Sequence, residues 1–534
     1  MNEATKKQNF LHGAALLAMA TAVIKIIGAF YKIPLKMIIG DMGYGYFNTA
    51  YDIYTVLLLI STAGLPIAMS RMISQASALG QYNQVRRVYA TARGIFLGLG
   101  VVSSALMMCF SHQLAAFQKQ PDAWSAIFCL GPCALLMCVM STYRGFFQGQ
   151  GNMRPTSNSQ ILEAAFKLVV GLVLAFAIMR ATKSVAFAAG GAILGVTVSC
   201  LVSAIYLNRQ QRPAYRDLPV TSDVPRSYGR TAKQLLAIAV PITIGSAGLQ
   251  VLNVIETNLY MGQLLTANGM SQSTADITKG IYNMTQTVFN MPCAFMVPIT
   301  TSVLPAITAQ LTTKKYGAAR GIEESAARIT GLISLPCAVG LSVLAAPVMA
   351  LLGGYSGENL ELAGTILTVL GINVFFYGMI QLTNVILQSH GYAHIPVINT
   401  LICGVMKLII VYLLVGNPQI GIVGAPVGML LCYLCIGVMN LIAIGKVVPQ
   451  KARILQNLLR SAIPAAIMGI LVWSSYRILV LLLGADGSRA LLCGIPVCVG
   501  VAAYALGVAL FRAIRREDCL LLPKGEKIAR ILHL

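Results

Sequence analysis

Acidic residues are scarce in this chain: 17 Asp and Glu stand against 39 Lys and Arg in 534 residues. Charged residues of either sign make up 10% of the sequence, where soluble domains carry roughly 25%. So few charges cannot coat a globule in water. Histidine is also rare, with five in all. His390 and His394 have a helical metal spacing, but they fall in a short loop without Cys or carboxylate beside them, so no metal site is predicted. No GxSxG, Walker A, HExxH or aspartate-rich motif occurs. That excludes an ATP-driven engine within the chain and leaves no nucleophile–base constellation for an enzyme. The 13 cysteines sit mostly inside apolar runs (Cys109, Cys129, Cys133, Cys200, Cys337, Cys403), which is no disulfide framework. Cys432 and Cys435 form a CxxC in the middle of such a run and are expected to act as small core hydrophobes.

What the chain has instead is apolar length. Hydrophobic residues make up 57%, and the mean hydropathy is +0.74. A bilayer span needs roughly 20 apolar residues. The sequence predicts fourteen, at 10–32, 47–70, 87–110, 124–145, 156–179, 185–207, 235–259, 280–301, 325–352, 361–388, 395–416, 420–445, 457–483 and 488–512. Lys6 and Lys7 before the first run, with Ala18–Ala20 inside it, resemble a leader, but the run continues through Phe30 and is taken as the first span.

The net charge of +22 is distributed by loop. With the N-terminus inside, 28 of the 39 Lys and Arg fall in cytoplasmic segments. Seven fall outside: Lys32, Lys36, Lys119, Arg180, Lys183, Lys279 and Arg489. That asymmetry is the positive-inside signal. It predicts a multi-pass protein of the bacterial cytoplasmic membrane with both termini cytoplasmic, embedded in membrane lipids, and not a nucleic-acid binder.

The halves repeat. Phe147-Gln148-Gly149-Gln150-Gly151 matches Leu387-Gln388-Ser389-His390-Gly391 at an offset of 240 (388 − 148), which carries Lys167 onto Lys407. Gly191-Ala192-Ile193-Leu194-Gly195 matches Gly424-Ala425-Pro426-Val427-Gly428, Gly45-Tyr46-Phe47-Asn48 echoes Gly280-Ile281-Tyr282-Asn283, and Leu65-Pro66 echoes Leu304-Pro305. The expected architecture is an all-α integral membrane protein of about fourteen helices. It has two pseudo-symmetric six-helix lobes, 1–207 and 235–446, joined by a basic cytoplasmic linker at 208–234. Two more helices and a basic tail occupy 447–534. Equal topology of the halves places their pseudo-axis along the membrane normal. The Gly-x-x-x-Gly pairs 94/98, 191/195 and 424/428 are expected to bring helices close together.

Ionisable groups deep in a span are costly and usually functional. Lys25 in span 1, Lys167 in span 5 and Lys407 in span 11 are the cationic candidates, the last two near mid-membrane. Glu163 precedes Lys167 by one turn and is its natural local counter-ion. Lys407 has Cys403 at that place. Glu256, with Asn253 three residues earlier, is a candidate for a cation or a sugar hydroxyl, with a hydrogen-bonded gate as the alternative. Arg477 and Lys32 are placed near interfaces, as anchors, and Asp52 over the turn into span 2.

Four segments carry a family resemblance: Val23–Lys32, Gly43–Tyr51, Gly64–Arg71 and Phe147–Asn152. They resemble the polysaccharide-exporter branch of the multidrug/oligosaccharidyl-lipid/polysaccharide exporter superfamily, which includes the lipid II flippases. The resemblance runs over nearly the whole chain. It implies two lobes that open alternately to each side and two additional helices that take a lipid tail. It also implies a monomer whose partner is an undecaprenyl-pyrophosphate-linked oligosaccharide or muropeptide. Lys25, three residues before Gly28, matches the family's basic residue in span 1. Asn48 falls in the second matching segment and joins the candidate substrate contacts. No cofactor is implied. The energy source is a proton, a sodium ion or the membrane potential, with Glu163 and Glu256 as coupling candidates. A drug/cation antiporter of the same superfamily is the first rival and would favour acidic residues in its cavity. A membrane-embedded glycosyl- or acyltransferase is the second.

Overall fold

The computed structural model describes residues 3–62, 64–448, 450, 452–484, 487–511 and 514. Of these, 3–26, 29, 60–62, 241–242, 244–246, 249, 297–302 and 305 are described as backbone alone. Every regular element among the described residues is a helix. In order they are α1 (Glu3–Thr62), α2 (Leu65–Ala78), α3 (Tyr82–Cys109), α4 (Ser111–Phe117), α5 (Trp124–Gly149), α6 (Arg154–Thr182), α7 (Val185–Arg216) and α8 (Tyr228–Thr266). There follow α9 (Gln272–Thr312), α10 (Tyr316–Val343), α11 (Ala345–Leu352), α12 (Gly357–Ser389), α13 (His394–Val415), α14 (Gly424–Val447), α15 (Ile454–Leu458), α16 (Ala462–Leu483) and α17 (Arg489–Leu510).

Ten helical stretches among the described residues are long and apolar enough to cross a membrane. They contain the spans predicted from 87–110 to 185–207 and from 325–352 onward. The spans predicted at 10–32, 235–259 and 280–301 fall in α1, α8 and α9, and the one at 47–70 is shared between the end of α1 and the start of α2; some of these side chains lie outside the described residues. Other boundaries differ from expectation as well. The 325–352 run breaks at Leu344 into α10 and the short α11, and α7 continues to Arg216, into the segment expected to be linker. Large apolar side chains such as Ile409, Leu413, Ile470, Leu481 and Val501 stand more than half exposed on α13, α16 and α17. Lipid is the solvent that accepts such faces.

The chain divides into two compact units, Met1–Gly280 and Ile281–Leu534. In the first, α5 packs on α3 and α7, α6 packs on α7, and α1 packs on α5, α6, α7 and α8. In the second, α12 packs on α10 and α14, α13 packs on α14, and α16 packs on α10 and α17. The order of elements recurs between them. α3 and α10 both have 28 residues, and each is followed by a short helix, α4 or α11. α5 ends at Gly149 and α12 at Ser389, and α6 begins at Arg154 and α13 at His394. Both differences (389 − 149 and 394 − 154) equal 240, the offset of the glutamine motif.

α1 is two helices meeting at Gly40, whose φ of 68° and ψ of −178° form a backbone state that is essentially glycine-only. Lys36 and Asp41 close an ion pair of 3.4 Å across this bend. Helix contact elsewhere follows the small residues. A Cβ on Gly195 would stand 2.3 Å from the Gly171 Cα of α6, and one on Gly428 would stand 2.7 Å from Val411 of α13. The pair at 94/98 departs from expectation: nothing lies within 4 Å of a Cβ on either glycine. There α3 presents an uncovered face in place of a helix contact.

The 217–227 segment is strapped to the start of α3. Both oxygens of the Asp223 carboxylate accept backbone N–H groups there, Asn83 N at 3.1 Å and Gln84 N at 2.9 Å. Asn83 Nδ2 donates to the Thr221 carbonyl at 2.6 Å, Arg86 Nη2 to the Leu218 carbonyl at 2.7 Å, and Arg226 N to Gln84 Oε1 at 2.8 Å. The first N–H groups of a helix have no partner of their own. A carboxylate supplied from elsewhere in the chain satisfies them and complements the helix dipole. The hydrogen bonds from Thr221 and from the α3 backbone hold the Asp223 carboxyl below the ordinary carboxylate range. Its stabilising effect is therefore present above about pH 4 and is lost as pH falls through the depressed value. Limited proteolysis checks this: Asp223→Ala accelerates cleavage within 217–227 at pH 7, and the wild-type chain acquires the same sensitivity only well below pH 4, with an acid-active protease.

Candidate functional site

The polar interior of the first unit is built on one face of α1. Tyr44, Phe47, Tyr51 and Tyr54 recur at spacings of three and four, so their rings lie along one side of the helix. Phe47 and Tyr51 are 4.9 Å apart, and Tyr51 meets Tyr54 edge-on at 6.0 Å. Tyr31, from the first half of α1, joins at 6.0 Å from Phe47. Lys167 points into this ladder from α6. Its Nζ stands 4.8 Å from the Tyr51 ring centroid and 5.3 Å from that of Tyr31. An ammonium within about 6 Å of a ring face is attracted by the ring quadrupole, more strongly where water is excluded.

Glu163, the expected partner of Lys167, is engaged elsewhere. Arg144 of α5 donates from Nη2 to Glu163 Oε2 at 2.9 Å and from Nε to Ser159 Oγ at 3.1 Å. Among the described residues no carboxylate lies within the 4.0 Å ion-pair distance of the Lys167 ammonium. Its charged neighbours at longer range are Lys32 and Glu163. Arg144 stands at the cytoplasmic end of the predicted span 124–145, and α5 continues past it to Gly149.

A second cluster joins α1, the turn before α5 and the start of α9. Lys279 is fully buried. Its Nζ donates to Thr49 Oγ1 and, at 2.9 Å, to Gln120 Oε1. Gln120 Nε2 donates at 2.9 Å to Asp276 Oδ1, which also receives Gln272 Nε2 at 3.0 Å. Asp276 Oδ2 accepts from the Tyr46 hydroxyl at 3.1 Å. Glycine permits this approach: a Cβ on Gly280 would fall 2.0 Å from the Asp41 carbonyl. The loop count treated Lys279 as an exterior residue, and in the structure α9 has already begun at Gln272. Asp52, half-buried on α1, has Lys279, Lys32 and Glu256 as its charged neighbours.

Comparison with known proteins places this arrangement. The family model for "Polysaccharide biosynthesis protein" matches residues 10–310, more than half of the chain. The MatE model matches 261–413. The chain belongs to the polysaccharide biosynthesis protein family, within the multidrug/oligosaccharidyl-lipid/polysaccharide exporter superfamily. Stage V sporulation protein B of Bacillus subtilis (strain 168) is 23% identical over 97% of this chain and 98% of its own length. Lipid II flippase MurJ of the same organism is 24% identical over 75% of this chain and 76% of its own. Among solved structures, lipid II flippase MurJ in an inward closed conformation superposes with a TM-score of 0.68 at 12% identity, covering 93% of this chain and 98% of that one. Membership gives a transport function and sets aside the transferase alternative.

The other candidates of this transporter fall as follows. The Lys25 side chain lies outside the described residues. Lys407 is half-buried on α13, in a stripe with Asn399, Cys403, Val411 and Val415, the face that packs on α14. Lys167 holds the same place in the α6 stripe Ser159, Glu163, Gly171, Ala175. Glu256 is 7% exposed on α8, and Asn253 is exposed and donates to Gln250 Oε1 at 3.3 Å. Asn48 is half-buried and returns its amide to the Tyr44 carbonyl at 2.7 Å. His390 meets a carboxylate the sequence had far away, Glu323 Oε1 at 2.8 Å. Among the described residues no three His, Cys, Asp or Glu gather as a metal site. Sequence reasoning passed over the tyrosines, although the 44/47/51/54 spacing was the available signal.

Arg144 and Glu163 have side-chain exposures of 11% and 25%, so each shelters the other from much of its desolvation cost. Removing one partner of a sealed pair costs roughly 3–5 kcal/mol. Arg144→Gln is expected to lower stability by roughly 2–3 kcal/mol, reduced because Glu163 keeps some solvent. Arg144→Gln with Glu163→Gln together recovers most of the loss, as thermal unfolding in detergent would reveal. Equal destabilisation by the single and double variants would mean that packing, not charge, is at stake.

Proposed function

We propose that this transporter carries an undecaprenyl-pyrophosphate-linked saccharide or peptidoglycan precursor, lipid II-like in chemistry, from the inner to the outer leaflet by alternating access. A diphosphate headgroup is too polar to enter hydrocarbon unaided. Basic side chains in a hydrated cavity supply counter-charge while the prenyl tail stays in lipid. The observation that carries this reading is Lys167: its ammonium rests on two tyrosine faces, and the neighbouring carboxylate is taken by Arg144. A cation held by π faces remains available to an anion, whereas one in an ion pair does not. Lys25 and Lys407 are assigned the same task from the first and second halves, with Asn48, Asn253 and Glu256 as polar contacts to the headgroup.

The architecture goes with this reading. Ten spans, together with two in α1 and one each in α8 and α9, make fourteen. The recurrence of element order and of the 240-residue offset supports two six-helix lobes followed by two further helices. The loop charges support a bacterial cytoplasmic membrane location with both termini inside. An inside-negative potential favours outward movement of an anion by about 2.3 kcal/mol per charge per 100 mV. Two charges crossing the whole field would gain about 4–5 kcal/mol. Proton or sodium coupling falls to Glu163 or Glu256. The relatives named for lipid II flipping and for sporulation support the substrate class. The MatE match at 261–413, with the buried Glu256 and the half-buried Asp52, favours cation antiport as the second reading.

Transport of a fluorescent lipid-linked diphosphate into the outer leaflet of proteoliposomes tests this. Losing one charge-assisted contact is worth about 1.5–3 kcal/mol, so Lys167→Ala is expected to slow transport about 10–100-fold, with Lys167→Arg largely active. Unimpaired transport in Lys25→Ala, Lys167→Ala and Lys407→Ala alike would remove the proposal, and export of an organic cation in its place would select the antiporter.

A further inference from the structure

A basic cavity lies in the first unit, apart from the site above, between the first turns of α3 and the last turn of α7. Its volume is about 480 Å³, and Arg93, Arg212 and Arg216 stand around it with Tyr89, Gly94 and Tyr215. The three guanidinium groups have no carboxylate within ion-pair distance among the described residues. Packed aromatics stiffen the wall: the Tyr89 ring is 5.2 Å from that of Phe146, edge-on, and 5.2 Å from that of Tyr215, tilted. Tyr89 is 4% exposed, and its hydroxyl has no hydrogen-bond partner. Three arginines around one cavity with no carboxylate partner call for an acceptor carrying negative charge.

The cavity borders an exposed apolar strip of α3. Gly94 and Gly98 lie in succession along α3 with free space above their Cα atoms, and Leu97, Val101 and Val102 around them are about half exposed. Arg93 is eleven residues into α3, which at 1.5 Å per residue is about 16 Å from the helix start, and the glycines continue deeper. The excess of arginine marks this end as cytoplasmic, a placement that rests on the positive-inside distribution. A polar basic pocket at the headgroup level, continued by an exposed apolar strip toward the bilayer centre, has the two-part chemistry of one lipid molecule.

We propose that this cavity holds the phosphate headgroup of an anionic phospholipid of the inner leaflet, with an acyl chain lying along the open Gly94–Gly98 face of α3. The arginines bind the phosphodiester, the tyrosine rings flank the glycerol region, and the bare glycine surface receives the chain. The substrate's diphosphate shares the phosphate chemistry, but the site commits to the phospholipid, because it opens on the lipid-facing side of α3 and none of its residues belongs to the Lys167 or Lys279 clusters. It does not depend on the transport reading.

Native mass spectrometry of the full chain in detergent, titrated with phosphatidylglycerol and with phosphatidylcholine, tests the assignment. Phosphatidylglycerol is expected to bind about tenfold more tightly. The triple variant Arg93→Gln, Arg212→Gln, Arg216→Gln abolishes that preference, and the matching triple lysine variant keeps most of it. Gly94→Leu, which has room for its side chain, weakens phosphatidylglycerol binding about tenfold with every charge in place. That variant keeps the test open should the glutamine triple fail to fold. No preference between the lipids, or a preference unaltered by both the glutamine triple and Gly94→Leu, overturns the proposal. Displacement by millimolar inorganic phosphate would make it a free-anion site, and displacement by a polyprenyl diphosphate at equal concentration would hand it to the substrate. Either result overturns the phospholipid assignment.

Discussion

A charge inside hydrocarbon must be answered by something within the protein, and that requirement organises the first unit. Arg144 answers Glu163. Thr49 and Gln120 answer Lys279, and Tyr46, Gln120 and Gln272 answer Asp276. Lys167 is answered by tyrosine rings alone at close range. These solutions differ in what they leave over. An ion pair neutralises both members, and a network of neutral donors and acceptors solvates a charge without removing it. A π face stabilises a cation and leaves its field in place for a ligand to use. The functional distinction among the buried charges is therefore one of partner chemistry more than of depth.

The packing serves this requirement. Lys279 reaches Thr49 because α9 lies against α1 at Gly280, and Lys167 reaches Tyr31 because α6 and α7 close on α1. A Cβ on Gly171 would stand 2.8 Å from the Tyr31 hydroxyl. Small residues thus decide which polar groups can meet. Where they do not bring helices together, as at Gly94 and Gly98, the same residue type leaves an open face. The motif alone does not say which outcome occurs, since that depends on whether another helix is present to fill the space.

This contrast sets what the sequence made legible. Hydropathy marks the helices because each span must be apolar along about 20 residues, and most described spans agree with the predicted runs to within a few residues; the exceptions are α7, which runs on to Arg216, and the 47–70 and 325–352 runs, which are each divided between two helices. The repeat was legible because the Gln148 and Gln388 motifs sit at matching helix ends. The partners were not legible. Glu163 is four residues from Lys167, the best local signal available, yet it turns to Arg144 on a different helix. Glu323 and His390 are separated by 67 positions and meet at 2.8 Å. Counting Lys279 as an exterior charge was a natural consequence of using apolar runs as boundaries. A run ends where charge begins, but a helix ends where its backbone hydrogen bonds do, and α5 and α9 extend past the run at one end.

The repeat also exposes how one scaffold carries two chemistries. The offset of 240 maps Arg144, Ser159 and Glu163 onto Asn384, Asn399 and Cys403. In the second unit those amides are bridged by Asn440, which accepts from Asn399 Nδ2 at 2.8 Å and donates to Asn384 Oδ1 at 2.8 Å and to Thr383 Oγ1 at 3.1 Å. A neutral amide network gives up less hydration on burial than an ion pair, and it takes no carboxylate away from its neighbours because it contains none. In the first unit the ion pair has a separate consequence: by occupying Glu163, Arg144 leaves the lysine one turn further along α6 without its nearest counter-ion. The same helix positions thus fix geometry by amides in one half and, in the other, fix geometry and set the charge state around Lys167.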